Sequence, residues 1–289
     1  MAEADIWLLG LVTHHKCGAV WMQQVVAGLK RLLGYPIVGL WSDKQRSNIP
    51  ETGPAFLVNW NGWLPSDLWQ RNDFAVLHLI RDARDVLLSG CQYHHVAPKK
   101  GEAFLHTPRE DLGGKTYQTH LRDIDSYQDK LLFEMREKHA VTVAEMLQFP
   151  KNHEFVYELR YEALINDTEL GEMRAAFQHW KLDAKSTNDA LDIVWETSLF
   201  GEFKDFEARP QQVRSHVFSG AARRWQSELP QAVGKIYAQE FGDALIELGY
   251  ETDRTWVDSL PVDPAPFNLP DPIDEAPAID TFADAQLSR

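Results

Sequence analysis

The chain of 289 residues has little cysteine and no long apolar run. Its two cysteines, Cys17 and Cys91, are too few for a disulfide framework and lack metal-ligand spacing, so we expect reduced thiols and no bound metal. No run approaches the ~20 apolar residues that a membrane span needs. The start, MAEADI, lacks the basic residues that open a secretory signal. These absences predict a soluble, cytoplasmic protein with no membrane partner.

An excess of positive charge is also absent. The formal net charge of -14 argues against a nucleic-acid partner, because nucleic-acid binders concentrate lysine and arginine. Residues 251–289 hold nine acids, two arginines and six of the fifteen prolines. They are predicted to form an extended or disordered tail, with Trp256, Phe267 and Phe282 available to dock it. Residues 1–250 are expected to form a single α/β domain, since the chain is 44% hydrophobic.

The first segment that indicates chemistry spans residues 6–34. Residues 6–12 are uncharged, as in a central parallel strand, and apolar residues recur at helical spacing over 21–32. Lys16 and Gly18 lie in the turn between them. A helix N-terminus offers backbone N–H groups without intrahelical acceptors and a dipole that favours negative charge, so this turn suits a phosphate or sulfate. An ordinary strand-to-helix turn with an exposed lysine is the alternative.

A second segment, residues 74–90, repeats the pattern of an apolar strand that leads into a helix. Arg81 stands at the end of the strand, and Ser89 lies two turns into the helix, so both side chains could reach one phosphate. Ligands of open parallel sheets bind at the carboxyl ends of the strands. The motif GxxxxGK[ST] is missing from both segments, which excludes a standard nucleoside triphosphate P-loop.

The rest of the chain alternates between strand and helix patterns, which predicts a parallel sheet between helical layers. A tryptophan-rich connection is expected at 41–69, a polar insertion at 97–118 and a loop region at 201–220. Helix is expected to dominate 119–148, followed by a strand at 153–161 and helices near 169–180, 186–196 and 229–248.

Taken together, the two segments resemble the sulfotransferases that use 3'-phosphoadenosine 5'-phosphosulfate (PAPS). The family's 5' loop reads approximately TxPKSGTTW and its 3' segment RDPRDvxxS, which correspond to residues 13–21 and 81–89. The resemblance implies a three-layer sandwich with a central parallel sheet flanked by helices. It also implies that Arg81 and Ser89 grip the 3'-phosphate and that Trp21 stacks on adenine. The 5'-phosphosulfate would be held by Lys16 and the backbone of Cys17, Gly18, Ala19 and Val20.

Three further segments match the family in the same order. LRYEALIND resembles its YEDL element and gives Tyr161 a role on the adenine side. TSLFGEFKDFE resembles the segment that places a hydroxyl and an aromatic ring near the base, here Ser198 and Phe200. FSGAARRW resembles the RKGxxGDW loop that closes over the 3'-phosphate, and the usual cations are replaced there. The implied contacts in this loop are Ser219, Gly220 and Arg223.

The reaction implied is transfer of a sulfuryl group from PAPS to a hydroxyl or amine of a small-molecule or glycan acceptor, with adenosine 3',5'-bisphosphate (PAP) as product. Lys16 would stabilise the charge that builds on the bridging oxygen. The family's base is a histidine in a KTHLP-like segment, but this region reads LVNWNGWLP, with Asn59 and Asn61 in its place. His15 is the preferred base because it adjoins Lys16. The other candidates are His14, His94 and His95.

Several alternatives stay open. The tryptophans at 41, 60, 63 and 69 suit either an acceptor pocket for sugars, phenols or apolar alcohols, or core packing. The missing KTHLP histidine would also fit a non-catalytic protein that binds PAPS or PAP. A P-loop kinase-like enzyme is disfavoured by the missing GK[ST]. The sequence leaves the oligomeric state open, a homodimer included.

Overall fold

Five parallel strands form one sheet, and they lie where the chain has short apolar runs. The computed structural model describes residues 6–99, 102–205, 207, 209–210, 213–214, 217 and 219–266. The strands are β1 (Leu8–Thr13), β2 (Ile37–Gly39), β3 (Ala55–Asn59), β4 (Phe74–Ile80) and β5 (Val156–Arg160). Their order across the sheet is β2-β3-β1-β4-β5.

Strands β2 and β3 correct the sequence interpretation, which left residues 35–40 unassigned and read 41–69 as a connection. Strand β3 pairs with β1 in parallel, with Leu8 opposite Ala55 and Val12 opposite Asn59. Every residue of β3 is buried, so it shows no alternation of polar and apolar side chains. A five-residue apolar run is also too short to distinguish a strand from other buried segments by its pattern alone.

The helices of the described residues are α1 (Ala19–Leu33), α2 (Ala83–Val96), α3 (Tyr117–Asp123), α4 (Tyr127–Glu134), α5 (Ala140–Gln148), α6 (Tyr161–Leu164), α7 (Gly171–His179), α8 (Ala184–Thr197), α9 (Trp225–Glu228) and α10 (Gln231–Glu247). Helices α1, α2 and α6 come next along the chain after β1, β4 and β5, respectively. A π-helical turn over Met135–His139 joins α4 to α5. Among the described residues, no helix combines the length and the apolar composition that a membrane crossing needs.

The first of two units of the chain comprises Met1–Arg81 and Gln148–Val213 and contains the whole sheet. One side of its core packs Leu9, Leu11 and Leu77 against α1, α7 and α8. A second core cluster contains Leu8 and Phe149, and partly buried tryptophans of the 41–69 region pack against it. Strands β1, β3 and β4 are therefore mainly apolar, because both sets of their side chains are buried.

The second unit comprises Asp82–Leu147 and Arg214–Arg289. Within it, α3, α4, the π-helical turn and α5 confirm that helix dominates residues 119–148. Short 3-10 turns at Ala103–Leu105 and Glu110–Leu112 occupy the predicted polar insertion. The extent predicted for the domain, residues 1–250, stays a prediction.

The strand order creates a switch point beside β1 in the first unit. The chain leaves β1 through α1 toward β2 and β3 on one side, whereas β4 lies on the other side of β1. Crossover connections that diverge in this way leave a crevice at the carboxyl ends of the two central strands, where open α/β sheets bind ligands. Thr13 ends β1 and Ile80 ends β4, so residues 14–18 and Arg81 follow directly at this edge.

Candidate functional site

The turn after β1 has the backbone of an anion site. Lys16 has a φ of 61° and Gly18 a φ of 97°, both in the left-handed region. Only glycine adopts such a conformation at no steric cost, so strain is concentrated at Lys16. Gly18 is the N-cap of α1, and in the described structure no side chain caps this helix and no acid lies in its first turn. The start of α1 therefore has the N–H groups and the dipole that favour a negative charge.

Hydrogen bonds at the end of β1 fix the shape of this turn. The Cys17 N–H donates to the carbonyl of His14 (3.0 Å), so it closes the turn rather than facing outward. The Thr13 hydroxyl is within hydrogen-bond distance of the carbonyls of Leu79 (3.0 Å) and Cys17 (3.2 Å). The Cys17 thiol is fully buried and donates to the carbonyl of His15 (3.6 Å). Cys17 is thus a packed residue of the turn.

Four of the predicted site residues come together at the ends of β1 and β4. The guanidinium of Arg81 donates to the carbonyl of Lys16 (3.2 Å) and lies 4.5 Å from the centre of the Tyr161 ring. A Cβ at Gly18 would lie 3.2 Å from both the Tyr161 ring and the Leu79 side chain. The Tyr161 ring therefore lies against both the Arg81 guanidinium and Gly18 of the turn.

Trp21 and Phe200, the two aromatic residues predicted to lie near adenine, contact each other in the first unit. Their rings meet edge to face with centroids 6.2 Å apart, and the Trp21 indole N–H donates to the Thr197 hydroxyl (3.3 Å). Ser198 is buried, and its hydroxyl donates to the carbonyl of Trp195 (3.0 Å) and accepts from the Gly201 N–H (2.9 Å). The Ser198 hydroxyl, predicted to lie near adenine, therefore stabilises the turn that contains Ser198.

In the second unit, Asp82 and Asp85 organise the start of α2. Asp82 caps the helix by accepting from the Arg84 N–H (3.0 Å), and it also binds the Arg84 guanidinium. The Asp85 carboxylate accepts from the backbone N–H groups of Arg223 (2.6 Å) and Trp225 (3.0 Å). Asp85 therefore holds the 219–225 loop, a role that only the structure reveals. Ser89 is buried on the same helix.

The two arginines of the 219–225 loop have different surroundings. Arg224 binds Glu228 (2.7 Å) and Gln92 (3.2 Å), so its charge is engaged within the unit. Arg223 is exposed, and its φ of 59° is again in the left-handed region. The Ser219 hydroxyl accepts from the Ala221 N–H (3.1 Å). Gly220 has a φ of 69°, so the loop bends sharply before Arg223.

The first residues of the predicted tail are ordered against this loop. Trp256 is buried in a 3-10 turn over Thr255–Ser259, and Glu251 pairs with the buried guanidinium of Arg84. Residues 267–289, which include Phe267 and Phe282, lie outside the described residues. The segment that follows α10 thus packs around Arg84 through Glu251 and Trp256.

The candidate bases lie in different environments. His14 is fully buried and its Nε2 bonds Nε2 of His78 (2.8 Å). His94 is fully buried as well, and its Nδ1 bonds the buried Glu134 (2.7 Å). Burial, together with Lys130 and Arg122, lowers the pKa of His95 to about 4. His15 is only partly buried in the turn.

Asn59, one of the two asparagines in the segment LVNWNGWLP, is a structural residue. Asn59 is buried, and its side-chain amide donates to the carbonyl of Leu40 (2.5 Å). Its side-chain oxygen accepts from the N–H groups of Asn61 (2.7 Å) and Trp63 (2.9 Å). Asn59 thus closes the turn after β3, and this use of its amide explains why a polar residue ends a buried strand.

Three tryptophans of the 41–69 region, Trp60, Trp63 and Trp69, pack against the core clusters. The Trp69 ring packs against Phe74 and Phe149, each with centroids 5.8 Å away, so Trp69 belongs to the core. Trp41 and Trp60 are partly buried and face each other at 6.3 Å. Core packing is therefore observed for Trp60, Trp63 and Trp69.

The fold agrees with the comparisons to known proteins. The model of the sulfotransferase domain matches residues 61–249, well over half of the chain, and the protein belongs to the family of PAPS-dependent sulfotransferases. The match contains Arg81, Ser89 and Tyr161 but not the turn at residues 14–18. No curated protein matches the chain.

Solved structures share the fold. Retinol dehydratase in complex with androsterone and inactive cofactor PAP has a TM-score of 0.54 at 14% identity, covering 82% of this chain and 80% of that chain. Retinol dehydratase with retinol and PAP has a TM-score of 0.54 at 13% identity, covering 84% and 82%. These likenesses confirm the predicted α/β sulfotransferase fold. The mouse sulfotransferase SULT7A1 complexed with PAP has a TM-score of 0.49 at 15% identity, covering 85% and 86%.

Proposed function

We propose that the protein transfers a sulfuryl group from PAPS to a hydroxyl or amine of a small-molecule or glycan acceptor. The observation that carries this proposal is the turn before α1, where Lys16 and Gly18 precede an uncapped helix start and Arg81 donates back to the turn. A cationic turn at a helix N-terminus suits a dianion. Membership of the sulfotransferase family supports the 5'-phosphosulfate of the donor as that anion.

The family resemblance assigns further residues to the remainder of the donor. We propose that Trp21 and Phe200 receive the adenine, since aromatic rings placed edge to face offer a face for stacking. Arg81, Ser89 and Arg223 are proposed to bind the 3'-phosphate. The complexes of retinol dehydratase with PAP, which have the same fold, support this choice of nucleotide.

In the proposed reaction the acceptor oxygen or nitrogen attacks sulfur, the bond from sulfur to the bridging oxygen breaks, and PAP leaves. Lys16 stabilises the negative charge on that oxygen, as cations do in phosphoryl transfer. His15 accepts the proton of the acceptor. The neighbouring His14 is hydrogen-bonded to His78. His15 is therefore the histidine of the turn that we propose as the base.

A non-catalytic protein that binds PAPS or PAP is the second candidate function. The observation in its favour is the segment that resembles the family's base region, where either Asn59 or Asn61 stands in place of the histidine and the Asn59 amide is bound within the turn after β3. An amide cannot accept a proton at neutral pH, so catalysis requires a base from elsewhere in the chain.

Calorimetric titration with PAP, followed by a PAPS-consumption assay against phenols, alcohols, sugars and amines, tests both candidates. Binding with turnover supports the transferase, and binding without turnover on any acceptor supports the non-catalytic protein. Lys16→Ala is expected to abolish transfer, whereas Arg81→Ala mainly weakens PAP affinity. Lys30→Ala, an exposed lysine in the last turn of α1, is the matched control. Tight binding of ATP with magnesium and indifference to PAP would point to a kinase-like enzyme instead.

A further inference from the structure

Two buried histidines lie directly behind the anion-binding turn, and the proposed reaction uses neither. His14 follows β1, and His78 belongs to the neighbouring strand β4, where it is the only polar residue of the strand. Both side chains have 0% exposure, and their Nε2 atoms are 2.8 Å apart. One nitrogen must donate and the other accept, so the pair shares a proton between two strands.

The surroundings of the two rings hold them in place. Gly62 has a φ of 68°, and a Cβ there would lie 2.2 Å from Cε1 of His14, so only glycine allows the ring its position. The Gly62 N–H donates to the carbonyl of Thr13 (3.1 Å). The Phe149 ring stacks on His78 with centroids 3.8 Å apart and an interplanar angle of 17°. A water molecule or a rotamer change therefore cannot replace the contact between the imidazoles without repacking.

A carboxylate stands at the far end of the pair. Oε2 of Glu158 on β5 is 3.7 Å from Nδ1 of His78, too far for a strong hydrogen bond but close enough for charge attraction. Burial lowers the pKa of His78, and Glu158 opposes that shift. Burial would raise the pKa of Glu158, yet His78 and Arg160 bring it below its usual value. Lys151 disfavours protonation of His78.

These groups form a row of two buried imidazoles that ends at a carboxylate. The row also belongs to the turn, because the His14 carbonyl accepts from the Cys17 N–H (3.0 Å) and Lys16 lies two residues beyond His14. A proton gained by the row is stabilised at one end by Glu158 and at the other by any dianion that the turn binds. In a buried environment such charge attractions are weakly screened.

We propose that His14, His78 and Glu158 form a proton relay that positions the anion-binding turn and takes up a proton when a dianion binds there. His78 is then a positioning residue that acts on the turn through His14. This inference rests on the proposed function, since it assumes that the turn holds the 5'-phosphate end of the nucleotide. It predicts that PAP binds more weakly as the pH rises above 7, where the phosphates of PAP are already dianionic.

Calorimetry with PAP in buffers of different ionisation enthalpy tests the relay between pH 7 and 8.5. For the wild-type protein we expect net proton uptake and a Kd that rises by up to about tenfold per pH unit, the limit for one linked proton. His78→Gln keeps an amide that can bond His14 but cannot titrate, so it should abolish the proton uptake. Glu158→Gln should reduce the proton uptake. The Glu158 side chain is 22% exposed, so this substitution disturbs folding less than one at the fully buried His78.

His179→Gln is the matched control, because His179 lies in the same unit and bonds the carbonyl of Phe155. It should keep the wild-type proton uptake. A wild-type protein that binds no PAP at any pH would overturn the proposed function and the relay with it. PAP binding without proton uptake, or uptake unchanged in both His78→Gln and Glu158→Gln, would overturn the relay alone.

Discussion

The guanidinium carbon of Arg84 lies 3.5 Å from the centre of the Trp225 ring and 4.5 Å from that of Trp256. This buried cation also pairs with Asp82 and Glu251. Burial would lower the pKa of Arg84, but the two carboxylates raise it above its ordinary value, so the side chain stays charged. Trp225 ends the proposed 3'-phosphate loop, and Arg84 thereby joins that loop to the start of α2 and to the segment after α10.

We predict that Asp85→Asn weakens PAP binding about tenfold, because the carboxylate accepts from two backbone N–H groups of the loop and hydrogen bonds to a charged group each contribute about 1.5–3 kcal/mol. Asparagine keeps only one acceptor oxygen there. Titration calorimetry measures the loss. Asp111→Asn removes an exposed carboxylate that binds Arg109 in the same unit, and it should leave the affinity unchanged. Equal binding by Asp85→Asn and wild type would contradict this role of Asp85.

The two loop arginines should separate binding from stability. Arg223→Ala is expected to reduce PAP affinity by about tenfold without changing the affinity for adenosine 5'-phosphosulfate, which lacks the 3'-phosphate. Arg224→Ala breaks the contacts with Glu228 and Gln92, so it should lower the Tm by about 2–4 °C for a loss of about 1 kcal/mol. Parallel calorimetry and thermal melts of the two variants check this. The assignment fails if Arg224→Ala is the variant that loses discrimination between the nucleotides.

The identity of the base can be tested with two glutamine variants. His15→Gln should lower kcat by about 10²–10⁴-fold, the usual contribution of a general base, with little change in PAP affinity. His94→Gln tests the second candidate for the base. The Nδ1 of His94 faces a buried glutamate that also accepts from the Tyr117 hydroxyl (2.7 Å), an arrangement that orients an imidazole as a base.

Rate profiles against pH complete the comparison of the two histidines. The variant that removes the base should lose the acidic limb of the kcat profile, and the other should retain it. His95→Gln, next in the chain, is the control, since burial and neighbouring cations keep His95 neutral above its pKa of about 4. Loss of the acidic limb in His94→Gln but not in His15→Gln would move the proposed base to His94.

Acidification should destabilise the protein through His139. This imidazole is buried against the Tyr237 hydroxyl (3.0 Å), and burial lowers its pKa to about 4. Since the folded pKa is below the unfolded value of about 6.5, the stabilisation is complete above pH 6.5 and is lost as the pH falls toward 4. We expect His139→Gln to remove roughly 1–3 kcal/mol of the pH dependence over this window. Urea unfolding at pH 7 and pH 4.5 measures the free energy of unfolding of both proteins. The same difference between the two pH values in His139→Gln and wild type would refute the prediction.

The sequence predicted some parts of the candidate site and missed others. Strands β1 and β4 and the turn with Lys16 follow from local patterns, and the structure has them. Strand β3 was missed because a short, fully buried run has no periodicity. His78 was visible as a lone polar residue in an apolar strand, but its partner His14 lies 64 positions away in sequence. No local pattern reports such a pairing.

The sequence by itself determined the class of the protein, since strand, turn and helix are set by short-range periodicity and capping, and the order of the motifs identifies the sulfotransferase family. Only the tertiary structure decided how the polar side chains are used. It committed the Ser198 hydroxyl and the Asn59 amide to turns and gave the carboxylate of Asp85 to a loop 138 residues away. Each buried polar group must find a partner, and the identity of that partner depends on which distant segments the fold brings together.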